Sequence, residues 1–158
     1  MTTPRRRDFH NDPNAPAANS LVPAVAVFVR DERDRVLLIR RSDNGRWSLP
    51  GGGQELGESI RGAMVREARE ETGLDVEVTG LVGVYSDPGH VVAFRDGEVR
   101  QEFVIVGRAV AVGGELAPDD DATEAAWFTP AELDGLDVHE AARVRIAHGL
   151  AGGAPYVG

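Results

Sequence analysis

Cysteine is absent from the chain. Disulfides, thiolate metal sites and cysteine nucleophiles are excluded together, so any catalytic or metal chemistry must use oxygen or nitrogen ligands. No run approaches the roughly 20 consecutive apolar residues of a membrane span, so a membrane partner is not expected. Positive charge is also short: 17 basic against 26 acidic residues give a net charge of -9. A protein that grips a nucleic-acid polymer presents a basic face, so that class is excluded, whereas a small phosphorylated substrate is compatible if metal ions intervene. The first 20 residues, MTTPRRRDFHNDPNAPAANS, hold arginines but no apolar core of a secretory signal, and a cytoplasmic location is the expectation. No Gly-Lys-Ser/Thr follows the glycines of GGGQELG, and no full Gly-x-Gly-x-x-Gly fingerprint is present there.

The 158 residues suit one domain. Residues 1–20 are polar and proline-bearing and read as a loosely attached tail, 21–150 as the folded domain, and 151–158 as a frayed end. LVPAVAVFVR and VLLIRR predict two strands joined by DERDR, with RWSLPGGG following as a loop. Helical periodicity runs from about Ser59 to Thr72, with Ser59 or Glu58 as the N-cap and Gly73 as a left-handed C-terminal residue. Further strands are expected in LDVEVTGLVGVYS, in HVVAFRDGEVRQEFVIVGRAVAV with Asp96-Gly97 as its turn, and in EAAWFT. PAELDGL, opened by Pro130, and VHEAARVRIAHGL close the chain as helices. Strands mixed with one central and one terminal helix imply an α/β class with a mixed sheet between helices.

The central helix carries the chemistry. At about 100° per residue, Ile60, Met64, Glu67 and Glu71 share one stripe, with Ala63 and Glu70 beside it. The stripe changes from apolar to acidic partway along. Like charges at spacings of three and four cost a few tenths of a kcal/mol per pair on an exposed helix, and more when desolvated. A divalent cation such as Mg²⁺, which takes oxygen ligands from carboxylates, water and phosphates, offsets that repulsion. A solvated acidic patch paired with Arg66 and Arg69 is the alternative. Arg66, four residues before Glu70, is placed to hold a carboxylate, and Gly51 to Gly53 permit a main-chain carbonyl to face the same ion.

The segment Gly52 to Leu74 resembles the Nudix box. Gly52 is followed after five residues by Glu58, then after seven by Arg66-Glu67, then Ala68, Arg69, Glu70, Glu71, Thr72, Gly73 and Leu74. Ala68 is smaller than the aliphatic usual at its position. The flanking WSLPGG and AAWFTPAEL also resemble the family's surroundings. The resemblance implies an α/β/α sandwich with a central mixed sheet and a requirement for Mg²⁺ or Mn²⁺. It implies Glu67 and Glu71 as main metal ligands, Glu70 as a further ligand or water-orienting group, and Gly51 as a carbonyl ligand. Arg66 would orient a glutamate, and Glu58 would shape the loop. Glu67, Glu70 and Arg66 are thereby the candidate catalytic set, acting in attack of water on a diphosphate linkage.

Beyond the box the sequence is thinner. Glu102 and Glu124 are candidates for an additional carboxylate. Arg40, Tyr85 and Glu102 are candidate substrate contacts, Tyr85 and Trp47 being able either to stack on a base or to pack. Pro88, 14 residues beyond Leu74, stands near the place of a proline in ADP-ribose-cleaving family members, although YSDPGH is equally a turn. The histidines at 10, 90, 139 and 148 show no metal-ligand spacing and receive no role. The expected partner is a small nucleotide, an ADP-ribose-like compound or a nucleoside triphosphate such as oxidised dGTP, and the resemblance makes a homodimer plausible. The competing class is a module that senses a nucleotide without cleaving it.

Overall fold

A strand covered on both faces reads as a continuous apolar run rather than an alternating one, and AVAVFVR, residues 24–30, is such a run. The computed structural model describes residues 6–118 and 122–158. In chain order its elements are β1 (Arg6–His10), β2 (Ser20–Leu21), β3 (Ala24–Arg30), β4 (Val36–Arg41), β5 (Trp47–Ser48), β6 (Gly51–Gly53), α1 (Ile60–Thr72), β7 (Leu74–Tyr85), β8 (His90–Phe94), β9 (Val99–Gln101), β10 (Val104–Gly114), β11 (Ala122–Phe128), α2 (Pro130–Leu133), α3 (Glu140–Ala151) and β12 (Tyr156–Val157). The main sheet runs β11-β4-β3-β10-β7-β12, with β5 on β4 and β6 on β3. It is mixed: β10 lies parallel to β3 and antiparallel to β7.

The alternation along β3 sorts the core into two layers. Ala26 and Phe28, with Val36 and Leu38 of β4, pack against Leu133, Ala142 and Ile146 of α2 and α3. Val25, Val27 and Val29, with Leu37, pack against Ala63, Met64 and Ala68 of α1. Both faces of the sheet are therefore covered by helices, the α/β/α arrangement that the resemblance implied. Among the described residues no helix is long and apolar enough to cross a membrane.

Helix α1 begins and ends where its local signals place it. The Ser59 hydroxyl accepts from the Gly62 N–H at 3.0 Å, and Gly73 closes the helix at φ 80 with its N–H on the Arg69 carbonyl. Helix α2 starts with a capping box: the Thr129 hydroxyl accepts from the Glu132 N–H and the Glu132 carboxylate from the Thr129 N–H.

Three segments differ from the sequence reading. RWSLPGGG is not all loop. Strands β3 and β4 pair at Arg30↔Val36, and away from the turn β4 takes β5 while β3 takes β6, at Ala24↔Gly53 through Ala26↔Gly51. The Pro50 carbonyl accepts from the Val27 N–H at 2.9 Å, and Pro50, with no N–H to donate, falls between the two short strands. The N-terminal stretch is not loose over residues 6–10: β1 runs antiparallel to β8, from Arg6↔Phe94 to His10↔His90, in a second sheet of order β1-β8-β9-β2. It lacks an apolar pattern because backbone pairing and polar contacts hold it. Residues 1–5 lie outside the described residues. At the other end, Tyr156 and Val157 pair parallel with β7, and Tyr156 stacks on Tyr85 and His148 at 5.0 and 4.4 Å between ring centres.

Close packing of α3 on the sheet gives a first prediction. A Cβ at Gly149 would lie 2.7 Å from the ring of Phe28, which is fully buried. Gly→Ala inside an exposed helix normally stabilises by about 1 kcal/mol, but overpacking a rigid core costs about 1–3 kcal/mol. Gly149→Ala is expected to lower the urea midpoint, and a raised midpoint would show that this contact relaxes freely.

Candidate metal centre and adjoining cavity

Helix α1 meets the glycine strand β6 through its acidic end. Glu67 and Glu71 are buried, at 9% and 7% exposure, so they lie on the inward stripe, as their spacing predicts. The Gly51 N–H donates to Glu71 Oε2 at 3.0 Å. A Cβ on Gly52 would stand 2.4 Å from Glu67 Oε1, so the missing side chain of Gly52 is the space in which the Glu67 carboxylate sits. Burial pushes the Glu67 carboxyl above its usual range, Arg66 pulls it back, and the Glu70 charge adds to the upward push.

Arg66 ties the cluster together. Its Nε and Nη2 hold both oxygens of Glu58 at 2.9 and 2.7 Å, its Nη1 reaches Glu67 at 2.8 Å and Glu70 at 3.1 Å, and Nη2 also donates to the Gly53 carbonyl at 2.9 Å. This is fork geometry that a lysine does not reproduce. Hydrogen bonds from Arg66 and from the Glu55 N–H hold the Glu58 carboxyl down at about 2. Glu58 is thus an anchor for Arg66 and for the loop. Glu70 is the half-exposed member of the trio.

The donor set suits a hard divalent ion. Two carboxylates one turn apart converge under partial burial, a third stands beside them, and a glycine leaves room for one of them. Oxygen ligands of this kind are those Mg²⁺ and Mn²⁺ accept.

A cavity of about 150 Å³ borders the same three glycines on the side of α3. Arg6, Arg41, Arg100 and Arg145 line it, as do Glu102, His90 and His139. Arg145 lies over the Tyr85 ring, 5.1 Å from its centre, and 3.9 Å from Glu102. Arg41 is held by the Asp43 carboxylate at 2.9 and 2.6 Å. The structure therefore brings Glu102 to the cavity but places Glu124 in an exposed pair with Arg40 at 3.1 Å, and Arg40 is not among the lining residues. Tyr85 borders a neighbouring cavity of about 360 Å³, its ring packed against Tyr156 and its hydroxyl 2.8 Å from His148 Nδ1. Trp47 is a core residue, edge-on to Phe128. Pro88 belongs to the β7–β8 turn, where Asp87 accepts from the Gly89 N–H.

Two groups of cavity residues escaped the sequence reading. Arg145 had a usable signal: it shares the helical stripe of Ala142, Ile146 and Gly149, the buried face of α3, where an arginine has no reason to be unless it faces something polar. Arg6, His90 and His139 had none, since strand pairing and the docking of α3 bring them together.

A mixed sheet between helices, with an acidic helix docked on a glycine strand, defines the class. Comparison with known proteins agrees: the family model for the NUDIX domain matches residues 20–148. The chain belongs to the Nudix hydrolase family. It is 44% identical over 117 residues to an ADP-ribose pyrophosphatase of Methanocaldococcus jannaschii, covering 68% of this chain and 63% of that protein, and so spans less than two thirds of that relative's length. It is 36% identical over 136 residues to a MutT-like protein of Streptomyces ambofaciens, covering 86% of this chain and 80% of the relative. Among solved structures, a MutT Nudix hydrolase from Burkholderia pseudomallei superposes with a TM-score of 0.64 at 27% identity, covering 82% and 98% of the two chains.

Proposed function

We propose that this protein is a Mg²⁺-dependent pyrophosphohydrolase acting on a nucleoside diphosphate linked to a second group, of the ADP-ribose type. The observation that carries the reading is the convergence of Glu67, Glu71, Glu70 and Arg66 on the glycine strand, beside a cavity whose walls hold four arginines. The resemblance to an ADP-ribose pyrophosphatase supports the substrate class.

Glu67 and Glu71 would hold the ion, with Glu70 as a further ligand and the Gly51 carbonyl as a main-chain one. When bound, Mg²⁺ neutralises charge on the diphosphate and makes water a better nucleophile. Arg66 keeps Glu67 and Glu70 in place and leaves little freedom to lose when substrate arrives. The carboxylates, acting as a group, take the proton of the attacking water. Arg6, Arg41 and Arg145 meet the phosphates, and Glu102 orients Arg145. Burial lowers the affinity of Arg145 for its proton, so an anion in the cavity gains from a poorly solvated partner.

The test is release of nucleoside monophosphate from ADP-ribose, other nucleoside diphosphate sugars, dGTP and 8-oxo-dGTP, with Mg²⁺ and with EDTA. ADP-ribose is expected to give the highest kcat/KM, and EDTA to abolish turnover. Preference for a nucleoside triphosphate would reject the substrate class, and turnover in EDTA would reject the metal.

A further inference from the structure

We propose that Asp8, His10 and His139 form a second metal site, separate from the carboxylates of α1, which takes a borderline divalent transition ion of the zinc or cobalt type. The three residues come from β1 and from the N-cap position of α3, and each offers a ligand atom, all within 4.8 Å of one another. Ligands at about 2 Å from one ion lie roughly 3–4 Å apart, so closure needs side-chain motion of about 1 Å. Imidazole nitrogen with one carboxylate oxygen is a donor set that such ions favour over Mg²⁺.

The placement is specific. Asp8 and His10 are two apart on β1 and share a face, and His10 is the direct cross-strand partner of His90. Their rings lie 4.1 Å apart. His139 approaches from α3, its ring 5.5 Å from His10 and its Nε2 3.9 Å from Asp8 Oδ1. As the N-cap of α3 it makes no side-chain capping bond, so the helix does not employ its ring.

The surrounding contacts orient the ligands. His90 Nε2 sits 3.0 Å from Asp8 Oδ1, Arg6 holds both Asp8 oxygens at 2.8 and 3.3 Å, and Glu140 stands 3.7 Å from His10. Metal-ligating groups are commonly steered by such outer partners. Arg6 and Arg41 work against a cation here, and Glu140 works for it. Access exists, because His139 borders the smaller cavity, His10 the larger, and His90 both.

The experiment titrates Zn²⁺ into the full chain with excess Mg²⁺, following imidazole nitrogens by NMR. With four histidines in the chain, His148 is an internal control. One equivalent is expected to shift the His10 and His139 rings and leave His148 unmoved. Co²⁺ titrated into a Glu67→Gln/Glu71→Gln background should bind with visible ligand-field bands, and adding His10→Gln or His139→Gln should weaken that binding at least tenfold. Unmoved His10 and His139 rings, or equal Co²⁺ affinity in the added variants, would overturn the site. Neither readout depends on hydrolysis, so the site stands or falls apart from the catalytic reading.

Discussion

Glu71→Gln and Glu67→Gln are each expected to cut turnover by on the order of 10²–10³-fold while leaving the unfolding midpoint unchanged or higher. Both carboxylates are buried beside another acid. Glutamine keeps an oxygen to accept the Gly51 N–H at position 71 and the Arg66 donor at position 67, so the local packing survives. It removes the charge, and with it both the proposed grip on a divalent ion and the repulsion within the cluster. Such repulsion is a cost in stability of the kind that functional sites commonly hold. Steady-state kinetics at several Mg²⁺ concentrations, with a thermal melt in EDTA, separates the two quantities. Wild-type turnover in either variant would defeat the assignment, and a collapsed melt would mean that these carboxylates are structural.

The three glycines of β6 are expected to respond to alanine in three different ways. At Gly51 a Cβ would lie 2.3 Å from the Val25 carbonyl oxygen and 2.9 Å from Ala26 Cα. Backbone on a paired central strand cannot withdraw, so Gly51→Ala should cost about 2–4 kcal/mol of stability and shift the urea midpoint accordingly. At Gly52 the obstacle is the Glu67 carboxylate at 2.4 Å, the end of a flexible side chain. Gly52→Ala should therefore fold nearly normally but displace Glu67 and lose most activity. At Gly53 nothing lies within 4 Å, and alanine there should be near neutral on both measures. Equal behaviour of all three variants would show that the strand is not read position by position, and full activity in Gly52→Ala would remove Glu67 from the metal centre.

Helix α1 is legible in the amino-acid sequence because its signals are local: Ser59 and Gly73 satisfy orphan backbone groups within a turn, and residues three and four apart necessarily share a face. The inward carboxylates follow from the same periodicity. The box spacing from Gly52 to Leu74 is visible for that reason, as are the apolar strands β3 and β4. Arg145 is legible in principle, on the buried stripe of α3.

The chain by itself determined the acidic helix, its caps and the family. Only the tertiary structure decided that Trp47–Gly53 wedges between diverging strands, that Glu102 rather than Glu124 borders the cavity, and that His10, His90 and His139 meet around Asp8. Those contacts join residues up to about 130 positions apart. No short-range period encodes such pairings: they depend on which strand edges find each other and on how α3 docks across them, after long loops have closed.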